Sequence, residues 1–67
     1  MRSSNKAPEQ RLLLTPEQAA RSLAISRASL YALLAKRELP SMTIGRSRRI
    51  PASALERFVL DRLALED

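Results

Sequence analysis

The chain has 67 residues with no cysteine and no histidine, which excludes disulfides, thiol chemistry and His/Cys metal sites and leaves length for one small domain. Twelve Lys+Arg against seven Asp+Glu give a net charge of +5 and a pI near 11.1. Ten of the twelve cations are arginines, whose planar donor fork suits phosphate. No apolar run approaches the roughly 20 residues of a membrane span, and the N-terminus lacks a signal-peptide core. A cytoplasmic location without membrane contact is expected. No base, nucleophile or metal constellation is present, so neither an enzyme nor a cofactor is expected.

The charge is unevenly placed. From Arg27 to Arg49 there are six bases and one acid, Glu38. From Ile50 to Asp67 there are two bases, Arg57 and Arg62, and four acids. A cationic middle points to a polyanionic partner, nucleic acid ahead of a membrane surface. The competing reading is a solvated basic surface with no partner.

In chain order, residues 1–11 are polar, contain Pro8 and predict a disordered arm; residues 12–65 are read as the folded domain. Thr15-Pro16-Glu17-Gln18 predicts a helix start, with Thr15 as N-cap, Pro16 at the first helical position and Gln18 closing a capping box. That helix is expected to end near Leu23 or Ala24. Ser26 predicts a second N-cap, and Leu30, Leu33 and Leu34 form the apolar stripe of a second helix that Pro40 stops. Two short helices separated by Ala24-Ile25-Ser26 read as a helix-turn-helix, although a generic helical hairpin has the same spacing.

Met42 and Ile44 then alternate with Thr43, and the chain's one glycine heads the loop Gly45-Arg46-Ser47-Arg48 before Arg49-Ile50 returns. This predicts a minimal β-hairpin leaning on the helices, with a basic tip suited to a DNA-binding wing. A third helix is expected after it, capped by Ser53 or starting with Pro51 at its first position. The predicted core is Leu14, Ala20, Leu23, Ile25, Leu30, Leu33, Leu34, Ile44, Ile50, Leu55, Phe58 and Val59. On the third helix Leu55, Phe58, Val59, Arg62 (by its aliphatic stem) and Leu63 share one face; Leu60 lies well off this stripe and Leu65 at its edge, as surface leucines or a small contact patch.

These residues together resemble the excisionase (recombination directionality factor) family of DNA-binding domains, relatives of MerR-like winged helices. Leu13 to Ala20 resembles the family's opening, and Ser26 to Tyr31 the start of its recognition helix. Glu38-Leu39-Pro40 and Ile44 to Pro51 resemble its turn and wing. The resemblance implies a mainly α fold, a winged helix-turn-helix of three helices and a two-stranded wing. It also implies binding to attachment-site double-stranded DNA, cooperative self-association on that DNA, a tyrosine integrase partner and no catalysis. A small transcriptional regulator and, in another class, a protein- or RNA-interaction adaptor are the alternatives. Four departures stand out: Ala24 and Arg37 replace common glycines, Ala32 replaces a basic residue after Tyr31, and Arg48 stands where the family commonly has an aromatic residue. At Ala24 either a right-handed turn or slight strain is expected, and at Arg37 a costly left-handed residue.

The candidate DNA-binding residues of the recognition helix are Ser26, Arg27, Ala28, Ser29, Tyr31, Ala32 and Lys36. On a helical wheel Ala28, Tyr31, Ala32 and Ala35 oppose the leucine stripe, with Arg27 and Ser29 flanking as candidates for base edges. Tyr31 is assigned a phosphate oxygen or, alternatively, partial burial at the helix–wing junction. Lys36 is a phosphate contact or a charge suited to the helix C-terminus. In the wing and its flank the candidates are Arg37, Arg46, Ser47, Arg48 and Arg49. Strand alternation puts Arg48 on the side of Ile50, leaving open whether it faces DNA or packs its stem inward.

Overall fold

The computed structural model describes residues 11–66, so the expected arm lies outside the described residues except for Arg11, which is exposed. The elements run β1 (Leu13–Leu14), α1 (Pro16–Leu23), α2 (Arg27–Ala35), β2 (Met42–Ile44), β3 (Ser47–Pro51) and α3 (Ala52–Glu66). This is a mainly helical fold with a small antiparallel hairpin, as a winged helix-turn-helix requires. No helix of the described residues is long and apolar enough to cross a membrane.

Local chemistry sets both ends of the first two helices. Thr15 Oγ1 accepts from the Gln18 N–H at 3.1 Å while the Gln18 side chain accepts from the Thr15 N–H at 3.0 Å, completing the capping box. Ser26 Oγ accepts from the Ser29 N–H at 3.0 Å and caps α2. Helix α1 ends where Ala24 takes φ 58°, with Ala24 N–H donating to Arg21 O and Ile25 N–H to Ala20 O. Helix α2 ends in the same way: Arg37 takes φ 61°, its N–H donates to Leu34 O, and Glu38 N–H donates to Leu33 O. Both are Schellman motifs, closed by residues other than glycine. The right-handed alternative at Ala24 is therefore corrected. Helix α2 also stops at Ala35, five residues before Pro40, because the Arg37 turn ends it first.

A strand that periodicity did not reveal completes the sheet. The Leu13–Leu14 pair lies antiparallel to β3, with Leu13 opposite Pro51 and Leu14 opposite Ile50, so the sheet order is β1-β3-β2. Ala52 N–H donates to Leu12 O at 2.9 Å, carrying the ladder into the first turn of α3. That helix starts at Ala52, directly out of the strand; Ser53 sits inside its first turn rather than capping it.

The core is Leu14, Ala19, Ala20, Leu30, Leu39, Ile50 and Leu55, with Leu23, Ile25, Leu33, Leu34 and Phe58 packed partly buried against it. Leu39 is 1% exposed and was not expected; the left-handed turn at Arg37 folds the chain back and delivers it. Two expected core residues lie outside. Ile44 is 55% exposed because the register pairs it with Ser47, on the opposite face from Ile50. Val59 is 41% exposed because α3 meets the core through Leu55 and Phe58, leaving Val59 on the wall of an open groove beside the helix-turn-helix.

Candidate nucleic-acid interface

Helix α2 presents its outer face to solvent. Ala28, Ala32 and Ala35 are exposed one helical turn apart, beside Tyr31, while Leu30 on the far side is fully buried. Alanine side chains let a second backbone approach closely, and a methyl group is the one feature they offer a base. Tyr31 is 42% exposed, so its ring lies on the surface with the hydroxyl available for a hydrogen bond.

The flanks of that face are already engaged. Arg27 Nη2 lies 3.3 Å from Glu17 Oε2, an exposed bridge joining the start of α2 to the start of α1. Ser26 donates its hydroxyl to Ser29 Oγ at 3.0 Å, so both serines belong to the helix cap. Ser29 also lines the rim of an open groove of ≈ 530 Å³ between the helix-turn-helix and α3, with Leu23, Ile25, Leu33, Val59 and Leu63 among its walls. It therefore leans away from Arg27, to the other edge of the alanine face. Lys36 closes α2 and is exposed, and exposed Arg37 forms the turn beyond it.

The hairpin is tighter than the sequence suggested. Ile44 pairs with Ser47, leaving a two-residue turn of Gly45 and Arg46. Gly45 has φ 63° and Arg46 does not share that sign, the pattern of a type II′ turn with glycine first. A Cβ on Gly45 would meet nothing within 4 Å, so glycine is needed there for its φ and not for space. Arg46 is thus held at the tip, exposed, with exposed Ser47 beside it.

Arg48 and Arg49 point to opposite faces. Arg48 is opposite Thr43 and on the side of Ile50, as alternation required, yet it is exposed because the hairpin runs past the core. Its Nη1 donates to Ser41 Oγ at 2.6 Å, which fixes the guanidinium at the base of β2. Arg49 is half-buried, opposite Met42, and donates from Nη1 to the Arg48 carbonyl at 2.9 Å.

Among the described residues no carboxylate lies within 4.0 Å of Lys36, Arg37, Arg46, Arg48 or Arg49, whereas Arg27, Arg57 and Arg62 are each bridged. The structure therefore sorts the candidates into a helix group with a smooth centre and a hairpin group whose cations meet no carboxylate among the described residues. Sequence reasoning missed Glu17 as the partner of Arg27 and Ser41 as the anchor of Arg48. An acid in the first turn of α1 was visible, but its reach to α2 depends on how the two helices cross. Among the described residues no group of three or more Asp, Glu, His or Cys forms a metal site.

A model of the helix-turn-helix domain family matches residues 13–62. Over 54 residues the chain is 44% identical to a probable excisionase of Saccharopolyspora erythraea, covering 81% of this chain and 55% of that protein. Over 52 residues it is 40% identical to an excisionase of Streptomyces ambofaciens, covering 78% of this chain and 82% of that protein. The chain thus spans about half the length of the first relative and most of the second. No solved structure gives a significant match.

Proposed function

The chain belongs to the excisionase family of helix-turn-helix DNA-binding domains, and from that premise we propose that it binds attachment-site DNA of a mobile element and directs excision by a tyrosine integrase. The protein contributes no catalysis of its own; it positions and shapes the duplex on which the integrase acts, in the cytoplasm, at the nucleoid. Helix α2 lies in the major groove with Ala28 and Ala32 against the base edges. Arg27, released from Glu17, reads bases at one edge of that face and Ser29 at the other. Ser26 orders the helix start, and Tyr31, Lys36 and Arg37 take phosphates. Arg46, Ser47, Arg48 and Arg49 hold the backbone flanking the adjacent minor groove. Because so small a domain covers few base pairs, copies fill neighbouring sites cooperatively.

The observation that carries this reading is the run of five cations from Lys36 to Arg49 without a carboxylate within bridging distance among the described residues. A purely structural hairpin gains little from three arginines on so short a ribbon, whereas a polyanion neutralises them and releases counterions.

Footprinting on the element's attachment site, with and without integrase, tests the proposal. Protection of that site, coupled to excision in the complete reaction, is the expected result. Protection confined to promoter DNA would favour the regulator reading. Equal affinity for the attachment site and random duplex would defeat sequence-specific binding.

A further inference from the structure

The wing carries an exposed apolar pair that neither the core nor the cationic contacts use. Ile44 is 55% exposed and Met42 45%. Both sit on β2, an edge strand of the sheet, and point to the face away from buried Ile50. Ile44 belongs to the last residue pair before the turn, next to Gly45 and Arg46, and Met42 lies two residues back, about 7 Å along the strand. An edge strand left open to solvent is ordinarily guarded by charge, because bare apolar edges recruit other strands. Here the charges stand on the turn and on β3, at Arg46, Arg48 and Arg49, while β2 shows Met42, Thr43 and Ile44.

Taking DNA binding through α2 as given, we propose that Ile44, backed by Met42, is an apolar wedge that the wing sets into the minor groove, where it loosens one base step. The surrounding arginines select the occupant, since they draw a polyanion and repel a basic partner such as a second wing. Phosphates have no use for an isoleucine, but sugar walls and the faces of a partly opened base step do. Isoleucine and methionine are among the side chains that such wedges employ. The type II′ turn holds the ribbon narrow enough to enter, and Arg46 at the tip leads Ile44 into the negative potential of the groove. Opening is easiest at flexible pyrimidine–purine steps. The wedge therefore confers a sequence preference without any hydrogen bond to a base.

The test uses the full chain on duplexes of about 30 bp cut from the attachment site, carrying end labels for energy transfer and 2-aminopurine at TA or CA steps. Ile44→Thr and Met42→Thr remove apolar surface, keep the charge, and in the first case keep the β-branch that suits a strand. For Ile44→Thr we expect about tenfold weaker binding, loss of the 2-aminopurine signal and a smaller bend, with an unchanged slope of affinity against salt. Met42→Thr should move the same readouts less, and Ile44→Val should retain them. Matching thermal melts establish that the variants fold; should Ile44→Thr fail to fold, Met42→Thr alone must still reduce the signal. Parent-like bending and fluorescence in both threonine variants would overturn the wedge. Loss of self-association with DNA contacts intact would overturn it too, assigning the face to a second copy. Failure of the parent chain to bind any duplex would instead remove the DNA-binding premise, and the wedge with it.

Discussion

At Ala24 and Arg37 the backbone enters the left-handed region, φ 58° and 61°, where a Cβ crowds its own carbonyl at a cost of about 1–2 kcal/mol. Each nevertheless closes a helix, because the Schellman hydrogen bonds and the packing of Ile25 and Leu39 against the core outweigh that cost. Glycine in their place is expected to stabilise the fold by about 0.5–1 kcal/mol, the relief of strain being partly offset by a more flexible unfolded chain. In a domain this small that corresponds to a rise of about 2–8 °C in Tm, readable by circular dichroism. Arg27 presents a different balance. Its bridge to Glu17 is 3.3 Å long and exposed, so it stabilises little but restrains a side chain assigned to base reading. Glu17→Gln is expected to tighten DNA binding about two- to fivefold in mobility-shift titrations, by freeing Arg27 and removing a negative charge near the phosphates.

At the scale of elements, the helices and the hairpin are stabilised by different residues from those that face outward on them. Leu30 and Leu39 are fully buried, one on α2 and one in the segment leading to β2. Alanine at either should cost about 2–5 kcal/mol in denaturant unfolding, while alanine at exposed Ile44 should stay within about 0.5 kcal/mol of the parent. Equal losses at all three would mean that the hairpin register is shifted by one residue. Helix α3 is held at its start by Leu55 and farther along by Arg62, which lies 2.7 Å from Glu38 and stacks over the Phe58 ring at 4.9 Å. The Arg62 guanidinium thus links α3 to the turn that closes α2. On either side of that clasp Leu60, Leu63 and Leu65 are 60–80% exposed.

For the whole molecule, charge separates the half proposed to meet DNA from the half that carries most of the acids. If Arg46 and Arg49 hold backbone phosphates, alanine at either weakens binding to every duplex and flattens the log–log salt slope by about 0.9. Arg27→Ala should instead cost about 1–3 kcal/mol on the specific site and little on random DNA, because only the site offers matching base edges. Titrations of both variants on both duplexes over a range of salt decide between the two roles. The exposed leucines of α3 bear on assembly: sedimentation of the free chain is expected to give mostly monomer, as the uncovered apolar area is small for a stable dimer. A dimer that Leu60→Lys dissolves would place a protomer contact on α3.

What the sequence by itself determined was a set of features governed by interactions within about four residues. The capping box at Thr15 and Gln18, the Ser26 cap, the leucine stripe of α2 and the glycine-headed turn all form between near neighbours, so their residue types suffice to place them. The order of those signals was enough to name the family. The tertiary structure decided what depends on partners far along the chain. Leu13–Leu14 is too short to show a period, and it becomes a strand only because β3 supplies its hydrogen bonds. Ile44 and Ile50 are alike in composition, yet one is exposed and the other buried, since a two-residue turn fixes a register that puts them on opposite faces. Leu39 is buried through a left-handed arginine, a conformation that residue type disfavours and only the surrounding packing can hold.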